Sequence, residues 1–203
     1  MSVSTLGQRG PTEHHRREQI IEQANRHFRL YGYRKASVAS LAKSIGVSSA
    51  YLYRFFDSKQ AIGPAICHSL LHGMHQPLQQ IVDSDLPPIG LLRHPIETAC
   101  QLRLELFLQE GRMQEVVIEA LQNNWPTVDQ HRQDLLAQIT ALVRAGRESG
   151  DFERRTPLDE VVQGILFALT ACLHPVLLEI HPAEKTRQGL LVVTPLILRS
   201  LMP

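Results

Sequence analysis

Apolar residues recur with helical spacing along most of the chain, and no segment of useful length alternates between apolar and polar residues. The first series, at Ile20, Ala24, Phe28 and Tyr31, follows the i, i+4, i+8 and i+11 positions of one helix face. Such spacing is typical of an amphipathic helix, whereas alternation with a period of two is typical of a half-buried strand. Because no internal repeat is present either, the pattern predicts an all-α fold built from packed helices.

The composition is that of a soluble protein with a sizeable core. Of the 203 residues, 43% are hydrophobic and 20% are charged, as in ordinary globular domains. The best apolar stretch, residues 161–173, is shorter than the ~20 residues that a membrane span needs, and the N-terminal segment lacks a signal-peptide core. The three cysteines are too far apart for a CxxC metal pattern. We therefore expect a cytoplasmic protein that does not bind a membrane.

Charge is divided unevenly along the chain. Residues 1–64 contain ten Lys/Arg and four Asp/Glu and so carry +6, whereas residues 65–203 carry −5. A basic segment favours an anionic partner such as nucleic acid. An uneven surface charge without a function would give the same count, so the charge alone leaves both interpretations open.

Two short helices joined by a tight turn follow the first helix. Ser37 is the predicted N-cap of one, Gly46 suits the left-handed turn that ends it, and Ser48 is the predicted N-cap of the other. Two such helices packed on a third form the helix–turn–helix unit, whose second helix enters the major groove of DNA. An ordinary helical hairpin with a glycine turn is the alternative.

The predicted recognition helix begins with small and polar residues, which suit the approach of a helix to DNA. Tyrosine and arginine side chains further along it could reach phosphates or bases, and a lysine opens the next helix, where phosphate is favoured. The DNA-binding residues predicted on these helices are Ser48, Ser49, Ala50, Tyr51, Tyr53, Arg54 and Lys59.

The segment from Ile20 to Ile62 resembles the DNA-binding domain of TetR/AcrR-type bacterial transcriptional regulators. Its most specific part is the aromatic-rich run YLYRFFDSK, which follows GVS. The resemblance implies a homodimer that binds a palindromic double-stranded DNA operator, usually represses transcription and is released by a small molecule bound in the C-terminal domain. It also implies that Ser37 contacts phosphate. Bulky Tyr51 departs from the small residue that is common there, so the preferred DNA sequence stays open.

These observations predict a helix–turn–helix DNA-binding domain over residues 1–58, linked through a helix at 59–82. An effector-binding and dimerisation domain is predicted over residues 59–203. The pair Gly63-Pro64 falls in the linking helix, where it could form a hinge or merely bend one turn.

The two C-terminal helices are apolar around most of their circumference, which indicates burial. Pro175 and Pro195 are expected to kink them. We predict that these helices form an isologous dimer interface, with contacts from Leu166, Leu173, Leu177, Leu191 and Leu198.

An effector pocket is expected among the middle helices. Charged residues are sparse there, although Arg103 and Glu105 occur, so the sequence favours a hydrophobic or aromatic effector over a strongly charged one. Each candidate lining residue is also compatible with a place in the core. The candidates are Cys100, Leu104, Phe107, Met113, Val117, Trp125, Phe167, Cys172 and His174.

One segment concentrates groups that bind metals. His68, His72 and His75 would share a helix face beside Cys67, and zinc, nickel or copper could use such spacing. No carboxylate of matching spacing accompanies them, so no metal site and no cofactor is predicted. A metal-sensing or thiol-sensing regulator stays open as an alternative.

Motifs of catalysis are absent from the sequence. It contains no GxSxG, Walker, GxGxxG or HExxH pattern, so we expect no enzyme and no catalytic residues. The rival from another class is a helical carrier of lipids or small molecules without a DNA role. Affinity for duplex DNA that falls steeply with salt would separate a regulator from such a carrier.

Overall fold

Ten α-helices, and no strand, form the part of the chain that the structure describes, which confirms the all-α prediction. The computed structural model describes residues 11–82, 84 and 86–203, apart from the side chains of residues 11, 12, 75 and 76. No described helix is both long and apolar enough to cross a membrane. The helices are α1 (Pro11–Tyr31), α2 (Val38–Ile45), α3 (Ser49–Tyr53), α4 (Lys59–Val82), α5 (Pro88–Gln109), α6 (Gly111–Gln122), α7 (Pro126–Ser149), α8 (Leu158–Leu173), α9 (Pro175–Ile180) and α10 (Ala183–Ser200).

The first of two hydrophobic cores lies under helices α1 to α4. Phe28, Leu52 and Ile62 are completely buried in it. Helix α6 and the residue before α7 add Met113 and Trp125 to the same core. The packing of the helix–turn–helix unit therefore depends on residues far along the chain.

The second core lies between α5, α7, α8 and α10. Leu92, Val143 and Ile165 are buried there. The chain turns back after α7, and Phe152 packs against the backbone of Gly146, where an added methyl group would overlap its ring. This contact holds the connection between α7 and α8 against the core.

Helix α4 joins the two cores as one continuous helix, with the bounds that the sequence predicts. Pro64 and Pro77 both lie inside it, so Gly63-Pro64 does not interrupt the helix. A methyl group at Gly63 would overlap the Trp125 indole ring. The glycine is therefore required for the close approach of that ring to α4.

Pro175 separates two helices, whereas a kink within one helix was expected. Helix α8 ends at Leu173, and Pro175 begins the separate helix α9. Proline is favoured at the first position of a helix because its missing N–H has no partner there in any case. Pro195, in contrast, lies inside α10.

Candidate nucleic-acid interface and ligand cavity

The ends of α2 and the start of α3 are fixed by the caps that the sequence predicts. The Ser40 N–H donates to Ser37 Oγ at 3.1 Å, and the Ser37 N–H donates to Ser40 Oγ at 2.9 Å, which completes a capping box. Gly46 has φ 73° and ends α2 in the left-handed conformation. The Tyr51 N–H then donates to Ser48 Oγ at 3.1 Å. The helix–turn–helix geometry is thus set by local hydrogen bonds.

The first helix holds this unit in place. Leu41 and Leu52 are buried against α1 and α4 in the first core. His27 of α1 is also buried, and its Nε2 lies 3.3 Å from Ser40 Oγ. Burial lowers the pKa of His27, so the imidazole is neutral at pH 7. Sequence reasoning missed this polar link between α1 and α2.

One side of α3 faces solvent. Tyr53 is 50% exposed, and Ala50 and Arg54 are also exposed. Tyr51 is half-buried, with its ring 5.3 Å from the Phe55 ring and 5.9 Å from the Arg54 guanidinium carbon. Ser37 and Ser48 are exposed, and Ser49 is half-buried.

Exposed cations lie on α2 and in the loop that precedes it. Arg34 and Lys35 are exposed in the loop before α2, and Lys43 is exposed on α2. Exposed cations near a free helix face suit contact with phosphates.

The Lys59 ammonium group already has partners within the protein. Its ammonium donates to the Tyr33 carbonyl oxygen at 2.9 Å and lies 4.4 Å from the centre of the Tyr33 ring. It thereby ties the start of α4 to the loop after α1. Its phosphate contact stays a prediction.

A cavity of about 360 Å³ lies among helices α4 to α9. This volume falls within the range of small-molecule sites. Its wall is mostly apolar, and three of the predicted pocket residues belong to it: Val117, Phe167 and His174. The full lining comprises Leu71, Met74, Leu78, Ala99, Arg103, Val117, Leu121, Val128, His131, Arg132, Leu135, Leu136, Gln163, Leu166, Phe167, Thr170, Leu173, His174 and Pro175.

Four other predicted pocket residues lie in the cores. Met113 and Trp125 belong to the first core, where the Trp125 ring packs beside Tyr33 and Gly63. Cys100 and Cys172 belong to the second core. Their apolar character suited a pocket and a core equally, so the sequence could not separate the two.

Helix α5 carries the two remaining predicted pocket residues. It also carries Arg103, a cavity residue that sequence reasoning missed. Leu104 is buried and Phe107 is half-buried, and neither lines the cavity. Arg103 does line it and is only 5% exposed. It lies three residues after buried Cys100, on the buried face of α5. A charged residue three positions after a buried one on the same helix was the sequence signal that could have identified Arg103.

Arg103 changes the expected electrostatics of the cavity. Its Nε donates to the Leu173 carbonyl oxygen at 3.0 Å. Burial lowers the pKa of Arg103 to about 10, which leaves it charged at neutral pH. Arg132 also lines the cavity, and no Asp or Glu is found among the lining residues that the structure describes. The sequence led to the expectation of little fixed charge around the ligand, whereas the described lining has a basic bias.

The candidate metal and thiol residues lie on α4. Cys67 is fully buried, and burial raises the pKa of its thiol. The rings of His68 and His72 stack with their centres 5.7 Å apart, while the side chain of His75 is outside the described set. Within that set, no group of three His, Cys, Asp or Glu could hold a metal ion. A neutral buried thiol is a poor nucleophile, which weakens the thiol-switch alternative at Cys67.

The predicted dimer residues have different surroundings within one protomer. Leu191 of α10 is 73% exposed, whereas Leu198 is buried in the second core. Leu166 and Leu173 line the cavity, and Leu177 of α9 is half-buried.

A helix–turn–helix unit on a helical domain with a cavity defines a DNA-binding transcriptional regulator with a ligand-binding domain. The chain belongs to the tetR family of bacterial regulatory proteins. The family model of that name matches residues 20–66, and the model of the tetracyclin repressor-like C-terminal domain matches residues 89–193. No curated protein is significantly similar in sequence.

Solved structures share the whole fold. A TetR-family transcriptional regulator from Pectobacterium atrosepticum superposes with a TM-score of 0.74 at 19% identity, covering 96% of this chain and 98% of its own. The fatty acid degradation regulator FadR from Bacillus halodurans gives 0.67 at 18% identity, covering 95% and 97%. FadR from Bacillus subtilis, solved in complex with stearoyl-CoA, gives 0.64 at 14% identity, covering 87% and 97%. At these identities the likeness shows a common fold.

Proposed function

We propose that the protein is a repressor that binds a palindromic operator as a homodimer and is released by a small, largely apolar molecule. The observation that carries this proposal is the solvent-facing side of α3, with Tyr53 and Arg54 exposed and the helix held by the Ser48 cap. In this proposal α3 enters the major groove. Ser37 and the cations around α2 contact the phosphates on either side.

The dimer interface is proposed on the outer faces of α8 and α10. Phe167 of α8 borders the cavity and is also 77% exposed, and Leu191 and Leu196 of α10 are 73% and 63% exposed. Exposed apolar side chains grouped on packed helices mark association surfaces. A two-fold axis between the copies would make the contact isologous, with Leu198 supporting it from the core.

Dimerisation would set the distance between the two recognition helices. Reading a palindrome requires them to lie about 34 Å apart, one turn of the DNA helix. We divide the chain functionally at residues 58 and 59, with α4 as the shared element. A repressor of this kind acts on DNA in the cytoplasm.

Two helices connect the cavity with the DNA-binding unit. Helix α4 carries Ile62 in the first core and Leu71 and Met74 in the cavity wall. Helix α6 carries Val117 in the cavity wall, and its Glu115 Oε2 accepts a hydrogen bond from the Arg34 N–H at 2.8 Å. A ligand that tilts these helices would change the spacing of the recognition helices. Coupling of this kind is typically 1–3 kcal/mol, or about 5–150-fold in operator affinity.

The effector is proposed to be mostly apolar because leucines, Met74 and Phe167 dominate the cavity wall. The acyl-CoA bound by the Bacillus subtilis FadR supports a ligand with a long apolar part.

The placement of α3 can be tested with matched tyrosine variants. Tyr53→Ala should weaken operator binding about tenfold or more, because base and backbone contacts contribute about 1–3 kcal/mol each. Tyr31 of α1 is 58% exposed and provides the matched control. Tyr31→Ala should bind the operator like the unchanged protein, and both variants should elute as dimers. Equal operator affinity of Tyr53→Ala and the unchanged protein would refute the placement.

The interface needs a separate test. Leu191→Glu puts a charge in the centre of the proposed contact and should yield monomers that bind the operator poorly. Elution of this variant as a dimer from a sizing column would rule out the assignment.

A further inference from the structure

Arg103 is a buried charge in the wall of the cavity with incomplete hydrogen bonding. Its Nε has a partner in the Leu173 carbonyl oxygen, but its buried Nη1 has none. A guanidinium carries five N–H donors, and a buried donor without an acceptor destabilises the fold. The guanidinium can therefore donate a hydrogen bond to a further acceptor.

The neighbouring titratable groups do not neutralise this charge. Burial raises the pKa of the Cys67 thiol despite the nearby guanidinium, so the thiol stays protonated. Burial, together with the charge of Arg103, lowers the pKa of His174, so the imidazole stays neutral. Among the described lining residues there is no carboxylate. The unpaired charge therefore lacks a counterion within the cavity.

The remainder of the wall indicates what else the ligand carries. Leu71, Leu135 and Leu166 face the cavity with other apolar residues, and polar lining groups such as Thr170 are few. Arg103 is the one buried cation among the described lining residues, since Arg132 is exposed. A single buried cation in an apolar cavity favours one negative charge on an apolar body, because a second negative charge would itself be buried unpaired. The volume of about 360 Å³ lies at the lower end of the range of small-molecule sites, about 300–1,000 Å³.

We propose that the cavity binds an apolar monocarboxylate whose carboxylate accepts hydrogen bonds from the Arg103 guanidinium. This inference rests on the proposed function, since it specifies the chemical class of the effector. It adds one negative charge to the hydrophobic or aromatic effector that the sequence favours, and it assigns Arg103 as the residue that determines this specificity.

A ligand series of matched size tests the charge preference in the unchanged protein. Decanoate, 1-decanol and decylamine, all below their aggregation concentrations, compete for the cavity with the neutral fluorophore N-phenyl-1-naphthylamine. Decanoate should bind at least tenfold more tightly than 1-decanol, because hydrogen bonds to a charged group are among the strongest in proteins. Equal or tighter binding of 1-decanol, or no displacement by decanoate, would overturn the proposal.

Variants assign the preference to one side chain. Arg103→Met should lose the preference for decanoate over 1-decanol, whereas Arg144→Met, at an exposed position of α7 outside the cavity, should keep it. Because Arg103→Met also removes the hydrogen bond to Leu173, Arg103→Lys serves as a second variant. It can keep that bond but lacks the second guanidinium nitrogen, so its preference should fall at least severalfold. An unchanged preference in both Arg103 variants would refute the role of this residue.

A separate measurement of operator binding distinguishes failure of the anionic-ligand proposal from failure of the proposed regulatory function. Operator binding combined with a preference for 1-decanol would support the proposed regulatory function and refute the anionic ligand. A preference for decanoate through Arg103 without any DNA binding would support the anion site and refute the repressor function.

Discussion

The close contact between Gly63 and Trp125 makes a quantitative prediction about the junction of α4 with α7. A Cβ at position 63 would overlap the distal ring of the indole, with Cζ3 at 2.7 Å and Cζ2 at 3.1 Å. Trp125 is buried, so the ring cannot move away freely. Overpacking of this kind costs about 1–3 kcal/mol. Replacing glycine by alanine inside a helix returns about 1 kcal/mol, so Gly63→Ala should be neutral to destabilising by about 2 kcal/mol.

Gly73 in the same helix provides the control. Nothing lies within 4 Å of a Cβ added there, so Gly73→Ala should stabilise the protein by about 0.5–1 kcal/mol. The two variants should therefore differ by about 1–3 kcal/mol in the free energy of unfolding. Urea denaturation followed by far-ultraviolet circular dichroism measures both.

Pro64 complicates the comparison, because a Cβ before proline is itself disfavoured in a helix. Repeating Gly63→Ala in a Trp125→Leu background removes that contribution, since Pro64 is present in both backgrounds. The cycle should give a coupling of about 1–2 kcal/mol between the two sites. Coupling smaller than about 0.5 kcal/mol, the usual deviation for independent sites, would refute the contact as the reason for the glycine.

Two further predictions concern the helix–turn–helix unit. Gly46→Ala should destabilise the protein by about 1–2 kcal/mol and weaken operator binding, because a φ of 73° is strained for alanine. Steric overlap does not contribute, since no atom lies within 4 Å of the added methyl group. Equal stability of the variant in thermal unfolding would contradict this prediction. Burial lowers the pKa of His27, so the unfolded chain takes up its proton first, and stability should fall as the pH drops through about 6.5. His27→Gln should flatten that dependence in urea titrations between about pH 7 and 5, and an unchanged slope would count against the assigned role.

The helix–turn–helix unit could be predicted from sequence because local interactions determine it. The caps at Ser37 and Ser48 and the left-handed Gly46 each depend on hydrogen bonds or dihedral angles within a few residues. The start of α4 was likewise set locally, because the Ser58 Oγ accepts the Ala61 N–H at 3.2 Å. Local rules of this kind are readable without knowledge of the tertiary structure.

The cavity could be predicted only in outline, because its wall is assembled from six helices. Trp125 and Val117 are both apolar, so the sequence pattern does not distinguish their positions. Trp125 fills a core, whereas Val117 lines the cavity. Which apolar face meets which neighbour depends on helix packing, and the sequence pattern does not encode that directly. The charge of Arg103 on a buried helix face was readable, but its missing acceptor was not.

The central claim, that α3 reads DNA, is tested most directly by fluorescence anisotropy with duplex DNA from upstream of the gene that encodes this chain. A scrambled duplex, a salt series and the Tyr53→Ala variant complete the measurement. The account predicts tighter binding to the native duplex, two protomers per site and an affinity that falls steeply with salt. Absence of salt-dependent binding to either duplex, even at low salt, would contradict it and favour a helical carrier.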